Sequence, residues 1–325
     1  DESECGSMAQ QVYDIAAQMI SHTDENQSPD DRHLIQLIGP ADATIAKVND
    51  IYRKVIYMKT SDYAALISIK DGIEQAVKAV EQSDLAIVAV GTRSTFLGRG
   101  PRYSTAGEGF DLSSLELPGN QSELLKAVKA TGKPMIVVLI SGKPLVMSWA
   151  KENADAVLVQ WYAGEQQGRS LADILVGNVN PSGRVNVSFP RSTGNTPCFY
   201  NYYPTDRVQR FDRPGTYEEP AGHYIFEHPY ALWEFGYGLS YTNFNYSGCT
   251  LNDSIYSDQG TIVATVEVEN TGKRDGKEVV QLYVRDKISS VSTPIKQLKA
   301  FKKVFIKAGE KKKVTLEVPM SELAL

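Results

Sequence analysis

At 325 residues, with 42% hydrophobic residues and a formal net charge of -5, the chain is long enough for about two domains and apolar enough to give each a core. The acidic balance, with a pI near 5.5, and the lack of any dense lysine or arginine cluster argue against nucleic acid and membrane surfaces as partners. A soluble protein acting on an uncharged ligand is the expectation. No apolar run reaches the roughly 20 residues of a membrane helix. Residues 1–31 have neither the basic start nor the apolar stretch of a secretory signal, although a signal can be removed from a mature chain. Cys5, Cys198 and Cys249 are few and far apart, which fits neither a disulfide framework nor a metal pattern. His22, His33, His223 and His228 lack metal spacing, so no cofactor is expected. Asn-x-Ser triplets at Asn26, Asn120, Asn186, Asn245 and Asn252 would matter only in a eukaryotic secreted protein.

In chain order, apolar positions at Met8, Val12, Ile15, Ala16, Met19 and Ile20 have helical spacing, and the polar stretch that follows reads as a linker, so residues 1–32 form an N-terminal helix and linker. Short apolar runs at 34–38, 55–58, 85–90, 135–140 and 156–160 then read as strands, with helical patterns at 72–82, 120–131 and 166–175. Strands alternating with helices imply right-handed crossovers and a mostly parallel sheet, an α/β sandwich. The β-branched run ending at Gly91 predicts a central strand buried on both faces. Residues 178–241 are rich in Gly, Pro, Tyr and Phe without periodicity, and predict an extended segment packed by its aromatics. Tyr200, Tyr202, Tyr203, Tyr217 and Tyr224 suit a sugar platform, or, as is commoner, packing with a bonded hydroxyl. After Phe244 the period becomes two, over 261–269, 278–285, 298–306 and 313–318, with turns at Asn270-Thr271-Gly272, Asp275-Gly276 and Ala308-Gly309. That is the pattern of an all-β sandwich, and its last strand is expected to be missing, since the chain stops soon after Val318.

The segment most suggestive of chemistry follows Gly91. It is a long loop at the carboxyl end of a strand, the edge where open α/β sheets bind ligands. It carries Arg93, Arg99, Arg102 and Asp111, and it displays Glu108 between Gly107 and Gly109. Flanking glycines let the backbone bend and another molecule approach, although a solvated loop carboxylate has the same appearance. Asp84 and Glu116 read as structural, and Glu165 as a cap for the following helix. Gly98-Arg99-Gly100 is not a phosphate-binding loop.

Several segments, in order, resemble glycoside hydrolase family 3 of the β-glucosidase and β-xylosidase type. They are Gly107-Glu108-Gly109-Phe110-Asp111, Leu115-Glu116-Leu117-Pro118-Gly119-Asn120-Gln121, Ser141-Gly142-Lys143-Pro144, Trp161-Tyr162-Ala163-Gly164-Glu165, Asn180-Pro181-Ser182-Gly183-Arg184 and Phe235-Gly236-Tyr237-Gly238-Leu239-Ser240-Tyr241. Asn270-Thr271-Gly272 and residues 294–301 resemble that family's fibronectin type III-like domain. The resemblance implies an α/β sandwich over 33–245 bearing an acid/base loop, and a fibronectin type III-like sandwich over 246–325. It implies a retaining exo-acting β-glycosidase, a β-glucosidase first and a β-xylosidase next, with Glu108 as general acid/base. Arg99, Arg102, Tyr103 and Phe110 become candidate contacts to sugar hydroxyls or an aglycone. The aspartate nucleophile is placed on a (β/α)₈ barrel, for which residues 1–325 hold no eightfold repeat. The implied partners are a β-glucoside or β-xyloside and that barrel, with self-association left open and a periplasmic or secreted setting favoured. Retaining hydrolysis needs two carboxylates about 5–5.5 Å apart, so a non-catalytic carbohydrate-binding or assembly module is the alternative.

Overall fold

The computed structural model describes residues 35–48, 51–60, 70–94, 104–107, 111–204, 213–220 and 225–323. The N-terminal helix expected over residues 8–20 lies outside them. Two compact units divide between Val176 and Gly177.

In the first unit, β1 (Ile35–Val48) and β2 (Ile51–Thr60) form an antiparallel hairpin, and the register shifts where β1 crosses Gly39-Pro40. Proline cannot donate to a ladder, and an irregularity tolerates it. The sequence reading set these two apolar runs in the mostly parallel sheet. An antiparallel pair needs only a tight turn, whereas a parallel pair needs a crossover of a dozen residues or more.

Beyond α1 (Lys70–Glu81), three strands build the parallel sheet in the order β3 (Ala86–Gly91), β4 (Met135–Ile140), β5 (Ala156–Val159). The crossovers are α2 (Gln121–Ala130) and the short α3 (Ser148–Asn153), and α4 (Gln167–Leu175) follows β5. Helix α2 turns Leu125 and Val128 inward and ends at Thr131-Gly132, where Gly132 takes φ +75° and donates its N–H to the Lys129 carbonyl at 3.0 Å. The centre of the sheet is β4, with Met135, Val137, Val138 and Leu139 fully buried. The strand β3, expected to be buried on both faces, instead alternates: Ala86, Val88 and Val90 point inward while Ile87 is 40% exposed. A β-branched run has the same composition in either position.

The second unit holds an antiparallel sheet, β10 (Lys311–Pro319) with β7 (Thr261–Asn270) and β6 (Phe244–Leu251), and a hairpin of β8 (Gly276–Val284) with β9 (Gln297–Ile306). Alternation along β10 buries Val314, Leu316 and Val318, and the first two meet Val268, Val280 and Ile306 in the core. Asn270, fully buried, explains the Asn-Thr-Gly turn. Its Oδ1 accepts from Thr242 Oγ1 and Gly272 N–H, and its Nδ2 donates to the Arg274 and Ile306 carbonyls at 2.8 and 3.0 Å. Every polar atom of the side chain is thereby satisfied.

Residues 177–243 pack with these sheets as an extended segment. Among its described residues the regular structure is one short 3-10 turn, Thr193–Asn195, and an isolated bridge between Phe189 and Trp233. Tyr200 stacks on Phe235 with ring centroids 4.2 Å apart, meets Tyr283 edge-on, and accepts the Leu298 N–H on its hydroxyl at 3.3 Å. Its use is packing. Tyr203 and Tyr217 remain exposed, and Tyr224 lies outside the described residues. Arg184 Nη2 bonds Glu278 Oε2 at 2.5 Å, and the Tyr246 hydroxyl donates to Glu278 Oε1 at 2.8 Å.

Tyr246 is 44% exposed as a residue, yet loss of water around its hydroxyl first, and then the Glu278 carboxylate that accepts its proton, push the hydroxyl pKa far above the ordinary tyrosine value, with Arg184 opposing. The folded chain therefore holds a proton that the unfolded chain releases from about pH 10 upward. This contribution to stability is complete below pH 10 and is lost as pH rises beyond it. Denaturant unfolding of wild type and Tyr246→Phe from pH 8 to 11 should show a steeper alkaline decline for wild type; parallel curves would rule out the contribution.

Candidate functional site at the carboxyl edge of the parallel sheet

The chain leaves β3 at Gly91, where φ is +147° and a Cβ would overlap the Ile140 carbonyl oxygen. Only glycine fits this close approach. The ladder runs on for one residue, with Thr92 N–H donating to Ile140 O at 2.9 Å. The Gln121 carboxamide pairs with both polar groups of Gly91: Oε1 accepts its N–H at 2.6 Å and Nε2 donates to its carbonyl at 2.9 Å. Only one orientation of the amide satisfies both bonds, which settles the assignment of oxygen and nitrogen. Gln121 thus serves Gly91 as a short substitute strand and ties the end of β3 to the start of α2. Gln121→Ala leaves two backbone groups without this partner and should cost about 1–3 kcal/mol, measured by denaturant unfolding, whereas an unchanged midpoint would mean that water replaces the amide fully.

A hydroxyl chain crosses the same edge. Ser141 Oγ donates to the Lys143 carbonyl at 2.7 Å, so the proton between Ser141 and Thr92 comes from Thr92 Oγ1, 3.0 Å away. The Thr92 oxygen then accepts from the Tyr162 hydroxyl at 2.7 Å. Thr92, Ser141 and Tyr162 follow β3, β4 and β5 in turn, so the chain fixes the relative positions of three strand ends. Next to Tyr162, Trp161 takes φ +50°, an uncommon conformation for a bulky residue and one that concentrates at functional sites.

The loop after Thr92 closes on Arg93. Arg93 N–H donates to Thr105 Oγ1 at 3.0 Å, and the Arg93 carbonyl accepts from Thr105 and Ala106 N–H at 2.9 and 3.0 Å. The Arg93 Nε is buried with no hydrogen-bond partner among the described residues, and burial lowers the pKa of this guanidinium. It still stays charged at neutral pH. At Gly107 φ is +84°, and a Cβ there would lie 2.5 Å from Lys143 Nζ and 3.1 Å from Asp111 Oδ1. Lys143 Nζ and Asp111 Oδ1 are 3.2 Å apart, the lysine side chain 16% exposed and the aspartate 91%. Farther on, Val146 N–H donates to the Leu115 carbonyl at 2.8 Å, which returns the chain to the sheet edge.

Glu108, Arg99, Arg102, Tyr103 and Phe110 lie outside the described residues; the structure gives their flanks, 104–107 and 111 onward. Sequence reasoning did not single out Gln121, Lys143 or Tyr162 for this site, because each reaches it only through folding. Glu165, expected to cap α4, gives way to Gln166 at the N-cap, and no side chain makes a capping bond there. Among the described residues no His, Cys, Asp and Glu cluster could hold a metal, and no helix is long and apolar enough to cross a membrane.

Residues 5–241 match the glycosyl hydrolase family 3 C-terminal domain, and residues 278–325 match a fibronectin type III-like domain. The chain belongs to glycosyl hydrolase family 3. It is 39% identical over 251 residues to a periplasmic β-glucosidase from Salmonella typhimurium, covering 77% of this chain and 31% of that protein. It is 38% identical over 270 residues to a β-xylosidase from Formosa agariphila, covering 83% and 34%. The crystal structure of a β-glucosidase from Listeria innocua in complex with glucose superposes with a TM-score of 0.67 at 34% identity, covering 77% and 33%. The chain spans about a third of the length of these relatives.

Proposed function

We propose that this chain is the acid/base-bearing part of a retaining exo-acting β-glycosidase that releases terminal β-linked sugars, glucose first and xylose next. Glu108 donates a proton to the departing glycosidic oxygen and then accepts one from the attacking water. An aspartate on a (β/α)₈ barrel outside residues 1–325 is the nucleophile. Arg99, Arg102, Tyr103 and Phe110 contact the sugar or its aglycone. The observation that carries this reading is the fixed frame around the loop. Gly91, Gln121, Thr92, Arg93 and Lys143 anchor its described ends at the edge where α/β sheets bind ligands, within a segment that matches the family. The relative named as periplasmic supports a periplasmic or secreted setting.

The test is an assay of the purified chain on p-nitrophenyl β-glucoside and β-xyloside, by itself and within the barrel-bearing enzyme. Turnover in the barrel-bearing enzyme alone, lost on Glu108→Gln, is the expected pattern. Turnover by residues 1–325 without a barrel would place a second working carboxylate within this chain and overturn the division of roles.

A further inference from the structure

The Lys143 side chain is only 16% exposed beside the loop, and neither proton transfer assigned above passes through it. Its backbone is fixed on both sides, since Ser141 Oγ accepts the Lys143 N–H at 3.2 Å and donates to the Lys143 carbonyl at 2.7 Å. Ser141 is itself fully buried. From this base the side chain runs back under the loop. Its ammonium meets Asp111 at 3.2 Å and fills the space a Cβ would need at Gly107. Gly107 and Asp111 are the described residues on either side of 108–110. One ammonium therefore touches both ends of the five-residue segment that includes Glu108.

We propose that Lys143 is a positioning residue for the acid/base. It clamps Gly107 and Asp111 to the end of β4, and so sets the backbone from which the Glu108 side chain departs. The inference rests on the acid/base reading of Glu108. Chemistry favours lysine here. An ammonium is compact and offers three donors on a flexible stem, and the stem buries its methylenes while the charge reaches a carboxylate. The glycine is part of the same device, because any side chain at 107 would displace the ammonium. The ion pair taken alone is weak, with so exposed a carboxylate. What Lys143 supplies is geometry, and small misplacements of a reacting group are costly in rate.

Two measurements separate this proposal from the reading beneath it. Hydrogen exchange of residues 104–111 in the chain alone should speed up in Lys143→Met and, less so, in Asp111→Asn, with wild-type rates restored in part by Lys143→Arg. In the barrel-bearing enzyme, Lys143→Met should lower kcat/KM about 10- to 100-fold for glucosides with poor leaving groups. The drop should be far smaller for 2,4-dinitrophenyl β-glucoside, whose departure needs no acid. Unchanged exchange in both Lys143→Met and Asp111→Asn would overturn the proposal, as would an equal loss on both substrates. Asp111 is so exposed that its variant keeps the test valid if Lys143→Met does not fold. Full turnover by Glu108→Gln would instead sink the acid/base reading, and the exchange rates decide the clamp in either case.

Discussion

Glu108→Gln in the barrel-bearing enzyme is expected to lower kcat/KM for alkyl and poorly activated aryl β-glucosides by about 10²–10⁴-fold, the range for loss of a general acid. Glutamine keeps the size of the side chain and removes the transferable proton. Glycosylation then depends on how well the leaving group departs unaided, so 2,4-dinitrophenyl β-glucoside should still form the covalent intermediate. Deglycosylation loses its base at the same time, and the intermediate should accumulate as a burst followed by slow turnover. Azide, which attacks without giving up a proton, should restore turnover with a β-glucosyl azide as product, as retention of configuration requires. Equal rates for wild type and variant on both classes of leaving group would remove Glu108 from the mechanism.

The same chemistry requires an acid whose pKa is raised. A carboxyl on a solvated loop titrates near 4 and is ionised at neutral pH, so it cannot serve as the acid. Burial or a nearby negative charge has to raise it. In the proposed arrangement, docking against the barrel supplies both, through exclusion of water and through the nucleophilic aspartate. The frame at Gly91, Gln121 and Lys143 fixes the described flanks of the segment, 91–94, 104–107 and 111 onward.

Much of this organisation was legible from residues alone, and the exceptions have physical causes. The strands β4 and β7 to β10 and the helices α1, α2 and α4 were readable from period and composition: β4 is buried along its centre, β10 alternates, and α2 turns Leu125 and Val128 inward, while α1 and α4 carry apolar residues at helical spacing. The edge strand β6 was missed: from Asn245 onward its residues are exposed, so no alternation marks it. The burial of β3 was overestimated, since an apolar β-branched run does not state how many neighbours it has. Residues 178–241 fall wholly within the family's C-terminal domain match, yet they pack on the sheets of the second unit. Local pattern carries no record of that partnership. The loop holding Glu108 was visible as a motif, whereas its anchors Gln121 and Lys143 stand roughly a dozen to three dozen positions later in the chain and belong to other motifs. Strand pairing brings them together, and strand pairing is a nonlocal property.

Arg184 and Glu278 give the second large effect. The motif Asn180-Pro181-Ser182-Gly183-Arg184 puts the guanidinium on a carboxylate carried by β8, and both side chains are about nine-tenths buried. Asn180 reinforces the junction, donating to the Asp275 carbonyl at 2.9 Å and accepting the Tyr241 N–H at 2.7 Å. Two opposed charges so far from water are worth little net, but removing one leaves the other buried without compensation. Arg184→Met is therefore expected to destabilise the chain by about 3–5 kcal/mol. At about 2–4 °C per kcal/mol for a unit of this size, the melting temperature should fall by roughly 6–20 °C. Arg184→Met combined with Glu278→Leu and Tyr246→Phe should recover most of that loss, because no charge is then stranded and the Tyr246 hydroxyl is gone with its acceptor. A cost below about 1 kcal/mol for Arg184→Met would mean that water reaches Glu278 freely and that the pair behaves as a surface contact. A triple variant no more stable than Arg184→Met would show instead that the ion pair itself, through its geometry, holds residues 177–243 on the β8–β9 hairpin.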